Sequence, residues 1–490
     1  MSAEPDPGVP PVGGPPTPHR SEKDPVLPTP RTLGAGPWTG PGTLQGATRS
    51  PRRAPRAPAR TPGVLALAAP ALVVLAAEPL YLLVDTAVVG NLGTVALGGL
   101  AVGGGLLAWA AALLNFLAYG TTARAARRAG AGDRAGAVAE GVQATWLALA
   151  LGLLVVALFQ LLAGPLTRLL AGDDGPVAAA GESWLRVASL GAPLLLVSLA
   201  GNGWLRGVQE LRRPVRHVLA GSLLSLVLCP LLVHPAGLGL VGSAVANVVG
   251  QALTAALFVR ALLREGVAWR PRPAALRSQL VIGRDLLLRA AVLQVSFLVA
   301  TGVVARAGAA ELGAHQIAVQ FFFFLALVLD AYAIAAQTLV GQALGAARPD
   351  AARDTARRVT RWGLGTGVVV AAALLVLRPV VLPLFTDDPA VLAQAAVAWW
   401  FLAAVQPLAG VVFALDGVLM GAGDVGYLRT VTIGAALVGF VPLSLLAVPL
   451  GWGLAGVWTG LTLFVALRLV AVVVRVAGDR WLAAPDTVTV

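Results

Sequence analysis

The chain has 490 residues, 57% of them hydrophobic and 12% charged, with a mean hydropathy of +0.79 and a formal net charge of +12. A soluble chain carries about a quarter charged residues, so this composition excludes dispersal in water and makes lipid the solvent. The positive balance does not require nucleic acid, because the arginines lie in short segments between apolar runs, where membrane topology accounts for them.

Residues 1–62 are rich in Pro, Gly, Thr and Arg and show no apolar periodicity. Such a segment buries too little surface to offset its ordering entropy, so a disordered cytoplasmic tail is expected, without a signal peptide. Arg49, Arg52, Arg53, Arg56 and Arg60 are placed to touch anionic lipid. Apolar runs of about 20 residues follow, each long enough to cross about 30 Å of hydrocarbon as a helix. They lack the alternation of a barrel strand. Helices are expected near 63–90, 95–120, 141–163, 185–206, 217–233 and 241–263. A second set is expected near 285–305, 312–343, 362–384, 393–420, 429–449 and 453–476.

The fold class is thus all-α integral membrane, with an N-lobe over 63–264, a cytoplasmic linker over 265–284, a C-lobe over 285–476 and a tail over 477–490. Arginines cluster in alternate loops: Arg124, Arg127, Arg128 and Arg134, then Arg206, Arg212, Arg213 and Arg216. Arg264, Arg270, Arg272 and Arg277, and then Arg353, Arg357, Arg358 and Arg361, continue the series. The positive-inside rule places these loops and both termini in the cytoplasm, which requires an even number of spans. The basic set is all arginine except Lys23, a bias of GC-rich bacterial genomes, so the expected location is a bacterial inner membrane.

Pro193-Leu194 and Pro407-Leu408 are 214 residues apart, as are Gly203, Leu205 and Gly207 from Gly417, Leu419 and Gly421. The Gly237-x-Gly239-Leu240-x-Gly242 block falls on Gly451-x-Gly453-Leu454-x-Gly456 at the same offset. An offset spanning an even number of helices preserves orientation, so the halves are expected to be parallel six-helix repeats. Repeated bundles around a midplane cavity are the build of alternating-access transporters.

An ionisable residue at bilayer depth costs at least ~2.5–3.5 kcal/mol on insertion scales, so each one needs a reason. Glu78 and Asp85 are two turns apart on helix 1, with Pro79 between them. Either acid serves as a cation-coupling candidate or is held by Asn115, Asn202 or a backbone group in a packing role. In the second half Asp330 on helix 8 and Asp416 on helix 10 are further cation-coupling candidates, with a structural ion pair to Arg289 as the alternative for either. Asn115, Asn202, Gln294, Gln337 and Gln406 are candidates for lining a wet cavity, with helix bridging as the alternative, as for Gln316 and Gln320. His315 is expected to be solvated at an interface, and Phe321–Phe324 to pack or to meet lipophilic cargo. Cys229 permits no internal disulfide. No phosphate-binding Gly-x-x-x-x-Gly-Lys motif and no metal-ligand cluster occurs, so no enzyme activity and no cofactor are expected.

Five ordered stretches then carry a family resemblance: Glu78–Val102 (EPLYLLVDTAVVGNLGTVALGGLAV), Trp204–Pro214, Leu312–Gln320, Leu327–Gln342 and Gln406–Asp424. The chain resembles multidrug and toxic compound extrusion (MATE) transporters, and within them the branch named after DNA-damage-inducible protein F. The resemblance covers about 63–476. It implies two six-helix lobes in a V, exporting amphipathic, cationic compounds in exchange for H⁺ or, less favoured, Na⁺, and acting as a monomer. It places Asp85 on the family's helix-1 coupling aspartate and Asp416 on an acidic position of helix 10. Several relatives carry Asn-x-x-x-Asp on helix 5, where this chain has Ser225 and Cys229. The alternatives are a lipid-linked oligosaccharide flippase, which calls for an arginine-lined cavity, and a membrane-anchored nucleic-acid binder using the basic tail.

Overall fold

The computed structural model describes residues 63–172 and 175–482; the tail expected at 1–62 and residues 483–490 lie outside them. Every long element among the described residues is a helix. Eleven are long and apolar enough to span a membrane, and one bent pair completes a set of twelve. In the first half these are α1 (Val64–Gly90), α2 (Thr94–Gly130), α3 (Arg134–Ala171), α4 (Pro176–Ser189 with Ala192–Gly207), α5 (Arg212–Val233) and α6 (Gly239–Leu263). In the second they are α7 (Pro273–Ala307), α8 (Ala309–Gly345), α9 (Pro349–Leu384), α10 (Pro389–Ala422), α11 (Val425–Ala447) and α12 (Gly453–Ala477).

The twelve expected spans are all present, but several run past their hydropathy limits. The added turns of α3 and α9 carry arginines, Arg134 in the first and Arg353, Arg357, Arg358 and Arg361 in the second, and such turns are invisible to a scale that measures transfer into lipid. The expected linker at 265–284 is helical from Pro273, where proline at the first helical position begins α7 without losing a needed N–H. The repeated prolines behave differently. Pro193 follows a 50° bend between the two parts of α4, whereas α10 continues through Pro407.

Packing divides by depth. One core joins both halves at the arginine-rich end: Leu67 and Ala71 of α1 and Phe116 and Leu117 of α2 lie with Ala331–Ala336 of α8 and Leu415–Met420 of α10. At the other end the cores separate. Val89, Leu100, Phe159, Trp184 and Leu240 form one in the N-lobe, and Phe297, Phe322, Trp399, Phe440 and Trp458 belong to another in the C-lobe. The lobes are therefore joined at one end and independently packed at the other. Leu161, Leu169, Val376 and Val474 remain exposed on the outside, as lipid-facing positions require.

Candidate transport cavity and ion sites

Asp85 faces inward from α1 and is 1% exposed. Its Oδ1 accepts from the Cys229 thiol of α5 at 3.1 Å. Ser243 of α6 faces the same carboxyl, and its hydroxyl accepts from Trp184 Nε1 at 3.1 Å. No arginine among the described residues bridges to Asp85. Among the described residues Asp85 is thus a lone carboxyl with the weak thiol donor of Cys229 beside it. Glu78 is in α1, and its side chain lies outside the described residues.

Two adjoining chambers open in the N-lobe and share Leu82, Ala108, Ala111, Leu195 and Gln251. The one toward the arginine-poor end has a volume of about 520 Å³ and walls from Leu100, Leu107, Trp184 and Asn247. The one toward the arginine-rich end has about 310 Å³ and is lined by Asn115, Tyr119, Asn202, Arg206 and Thr254. Asn115 and Asn202 thus both line the smaller chamber. Gln294 lines neither chamber. Gln337 donates to the Tyr119 carbonyl of α2 at 2.7 Å and so bridges two helices, whereas Gln406 donates to the Leu402 carbonyl one turn back in its own helix at 3.2 Å.

The C-lobe acids are committed differently. Asp416, 2% exposed, is held by both Arg289 of α7 and Arg468 of α12. Asp330 accepts from the Tyr119 hydroxyl at 2.6 Å, a bond between the lobes. Further interlobe bonds run from Gln342 to the Gly207 carbonyl at 2.8 Å and from Arg127 to the Ala422 carbonyl at 3.0 Å. All lie toward the arginine-rich end.

Several expectations need correction. Arg206 and Arg124, read as loop arginines, are 5% and 2% exposed. Arg124 pairs with Glu140 at 2.6 Å and reaches Ser278 of α7, while Arg206 borders the smaller chamber. Gly203 and Gly207, four residues apart and pressed against α2, carried the signal that this end of α4 is buried. Arg468 was missed although it interrupts an apolar run, which is itself a signal. His315 is not solvated: it is 2% exposed, 3.3 Å from the Thr301 hydroxyl. Phe321 and Phe322 pack on Trp399 and Phe297.

Two like bundles, a cavity at mid-depth and a sealed acid beside it define a membrane transporter of the duplicated helical type. The MatE family model matches residues 70–231 and 286–445, and the chain belongs to that family, the MATE transporters. It is 33% identical over 422 residues to Protein DETOXIFICATION 44, chloroplastic, of Arabidopsis thaliana, covering 83% of this chain and 80% of that one. It is 32% identical over 407 residues to DNA damage-inducible protein F of Escherichia coli K12, covering 80% and 86%. A solved MATE in the bent conformation shares the fold with a TM-score of 0.77 at 23% identity, over 85% of this chain and 94% of that one.

Proposed function

We propose that this transporter exports amphipathic small molecules through the N-lobe cavity in exchange for protons, with Asp85 as the coupling carboxyl. The observation that carries this reading is the contrast between two buried aspartates. Asp416 has two guanidinium partners, whereas Asp85 has a thiol and a hydroxyl and, among the described residues, no cation. A carboxylate out of water needs a counter-charge, and at Asp85 a mobile cation is the one left to supply it. A proton needs no further ligands. Sodium needs several oxygens in place of its water shell, and Cys229 contributes sulfur where a second acid would serve. The arginine-rich ends face the cytoplasm in this reading, and the chain sits in a bacterial cell membrane.

The test is cargo transport by the full chain in proteoliposomes under separately imposed proton and sodium gradients. Asp85→Asn keeps the size and removes titration, so proton-driven transport should stop while insertion is unchanged. Glu78→Gln should do less, since Glu78 is two turns away. Transport by Asp85→Asn at the wild-type rate under a pure pH gradient refutes the assignment, and abolition of sodium-driven transport by Asp416→Asn alone moves coupling to the C-lobe.

A further inference from the structure

The lining of the smaller chamber contains one ionic side chain among the described residues, the guanidinium of Arg206. Arg206 is 5% exposed and makes no hydrogen bond or ion pair with a described residue; Tyr119 and Asp330 are its electrostatic neighbours. Those neighbours are already engaged with each other at 2.6 Å. The surrounding cluster sets Arg206, Arg289 and Arg468 against Asp330 and Asp416, so the arginines outnumber the acids by one. Asp416 holds Arg289 and Arg468, and Asp330 accepts from Tyr119, so no described acid is bonded to Arg206 and the cluster as a whole carries one positive charge in excess.

A second orphan lies one helical turn earlier on the same helix. Asn202 is 5% exposed and its side-chain oxygen has no partner. Arg206, a buried guanidinium with no bond to a described residue, and Asn202, whose Nδ2 can donate to an anion, stand on one wall as a polar floor, and a buried cation is costly unless an anion meets it. Above that floor the larger chamber is walled by Leu82, Leu107, Trp184 and Leu195.

We propose that the smaller chamber is a binding site for the carboxylate of an amphipathic organic acid, with Arg206 holding the anion, Asn202 beside it, and the apolar body lying in the larger chamber. The proposal rests on the reading of the N-lobe cavity as the cargo path and reverses the cargo charge expected from the resemblance. An arginine fork matches a carboxylate in two parallel N–H···O bonds, and a desolvated pair of this kind is far stronger than one at a surface. A cationic cargo would meet Arg206 at close range with no acid in the described lining to offset it.

Binding of three matched probes decides the matter: 1-naphthylacetate, its uncharged amide, and 1-naphthylmethylamine, on the full chain in phosphatidylcholine nanodiscs. The acid should bind at least about tenfold more tightly than the amide and the amine, the range a charge-assisted contact supplies. Arg206→Gln should erase that preference and Arg206→Lys keep part of it. If Arg206→Gln does not fold, the wild-type order of the three probes, with the drop in acid affinity expected for Asn202→Leu, gives the answer. Equal affinities in the wild type, or an acid preference that survives Arg206→Gln, overturn the site. Glu78 stands on α1 between the lining residues Leu75 and Leu82. An acid preference that emerges only in Glu78→Gln therefore also overturns it, by giving Arg206 an internal partner. No acid preference alongside proton-driven export of a cationic dye refutes this site and spares the export reading. Acid binding without gradient-driven transport refutes export and spares the site.

Discussion

Asp416 and Asp85 are both sealed from water, yet one is ringed by guanidinium groups and the other by a thiol and a hydroxyl. Asp416 is the shared counter-charge of two guanidinium groups, so removing its charge strands Arg289 and Arg468 in a low-dielectric interior. Breaking a buried ion pair from one side costs about 3–5 kcal/mol. Asp416→Asn should therefore lower the thermal unfolding midpoint in detergent markedly, and adding Arg468→Met should recover part of the loss. Asp85→Asn exchanges one hydrogen-bonding group for another of equal size and should leave the midpoint within a few degrees of the wild type. A larger loss for Asp85→Asn than for Asp416→Asn would contradict this division. The sequence made the acids and Arg289 visible because charge in an apolar run stands out. It did not show that Cys229 meets Asp85, since a thiol is an ordinary occupant of an apolar helix and only the fold brings positions 144 residues apart within 3.1 Å.

At the scale of elements, the joint between the lobes is made from glycine. A Cβ added at Gly130 of α2 would press on the Gln342 backbone of α8, and one at Gly345 of α8 would press on the Arg127 backbone of α2. These helices close on each other only because both contacts lack a side chain. Gly130→Ala or Gly345→Ala should therefore destabilise the joined state and populate one in which the arginine-rich ends stand apart. Spin labels at 131 and 347 should report a longer distance population in pulsed electron resonance. Gly302→Ala, with nothing within 4 Å of the added carbon, should leave the distribution unchanged. An unaltered distribution in both seam variants would show that the joint does not depend on these contacts. The glycine blocks were legible as a repeat at an offset of 214, but the bend of α4 was not. The same proline stands in α10, where the helix passes through it, so the bend depends on packing and not on the proline alone.

For the whole molecule, the alternation of arginine-rich and arginine-poor loops predicts orientation. Cys229 is fully buried, so single cysteines introduced elsewhere can be labelled without replacing it. Ala346→Cys, in the loop between α8 and α9, should resist an impermeant thiol reagent added outside intact cells. Ala236→Cys, in the loop between α5 and α6, should react. Equal labelling would refute the assigned topology. The architecture was readable because hydropathy, loop charge and the internal offset are each set locally by the chain. The cavity was less so, because chamber walls come from five helices and an arginine at a helix end reads the same whether it meets water or protein.

The offset also aligns interiors. Asn202, Arg206 and Thr254, which border the smaller chamber, fall on Asp416, Met420 and Arg468. Where one half is hollow, the other is filled by a charge pair tied to Arg289. Duplication has thus produced a receptacle and a keystone from one ancestral plan. A chain assembled from two copies of its first half would hold two receptacles and no keystone. If the smaller chamber is the cargo site proposed above, specificity sits in the first half and the buried charge pair in the second, with the Tyr119–Asp330 bond linking the two.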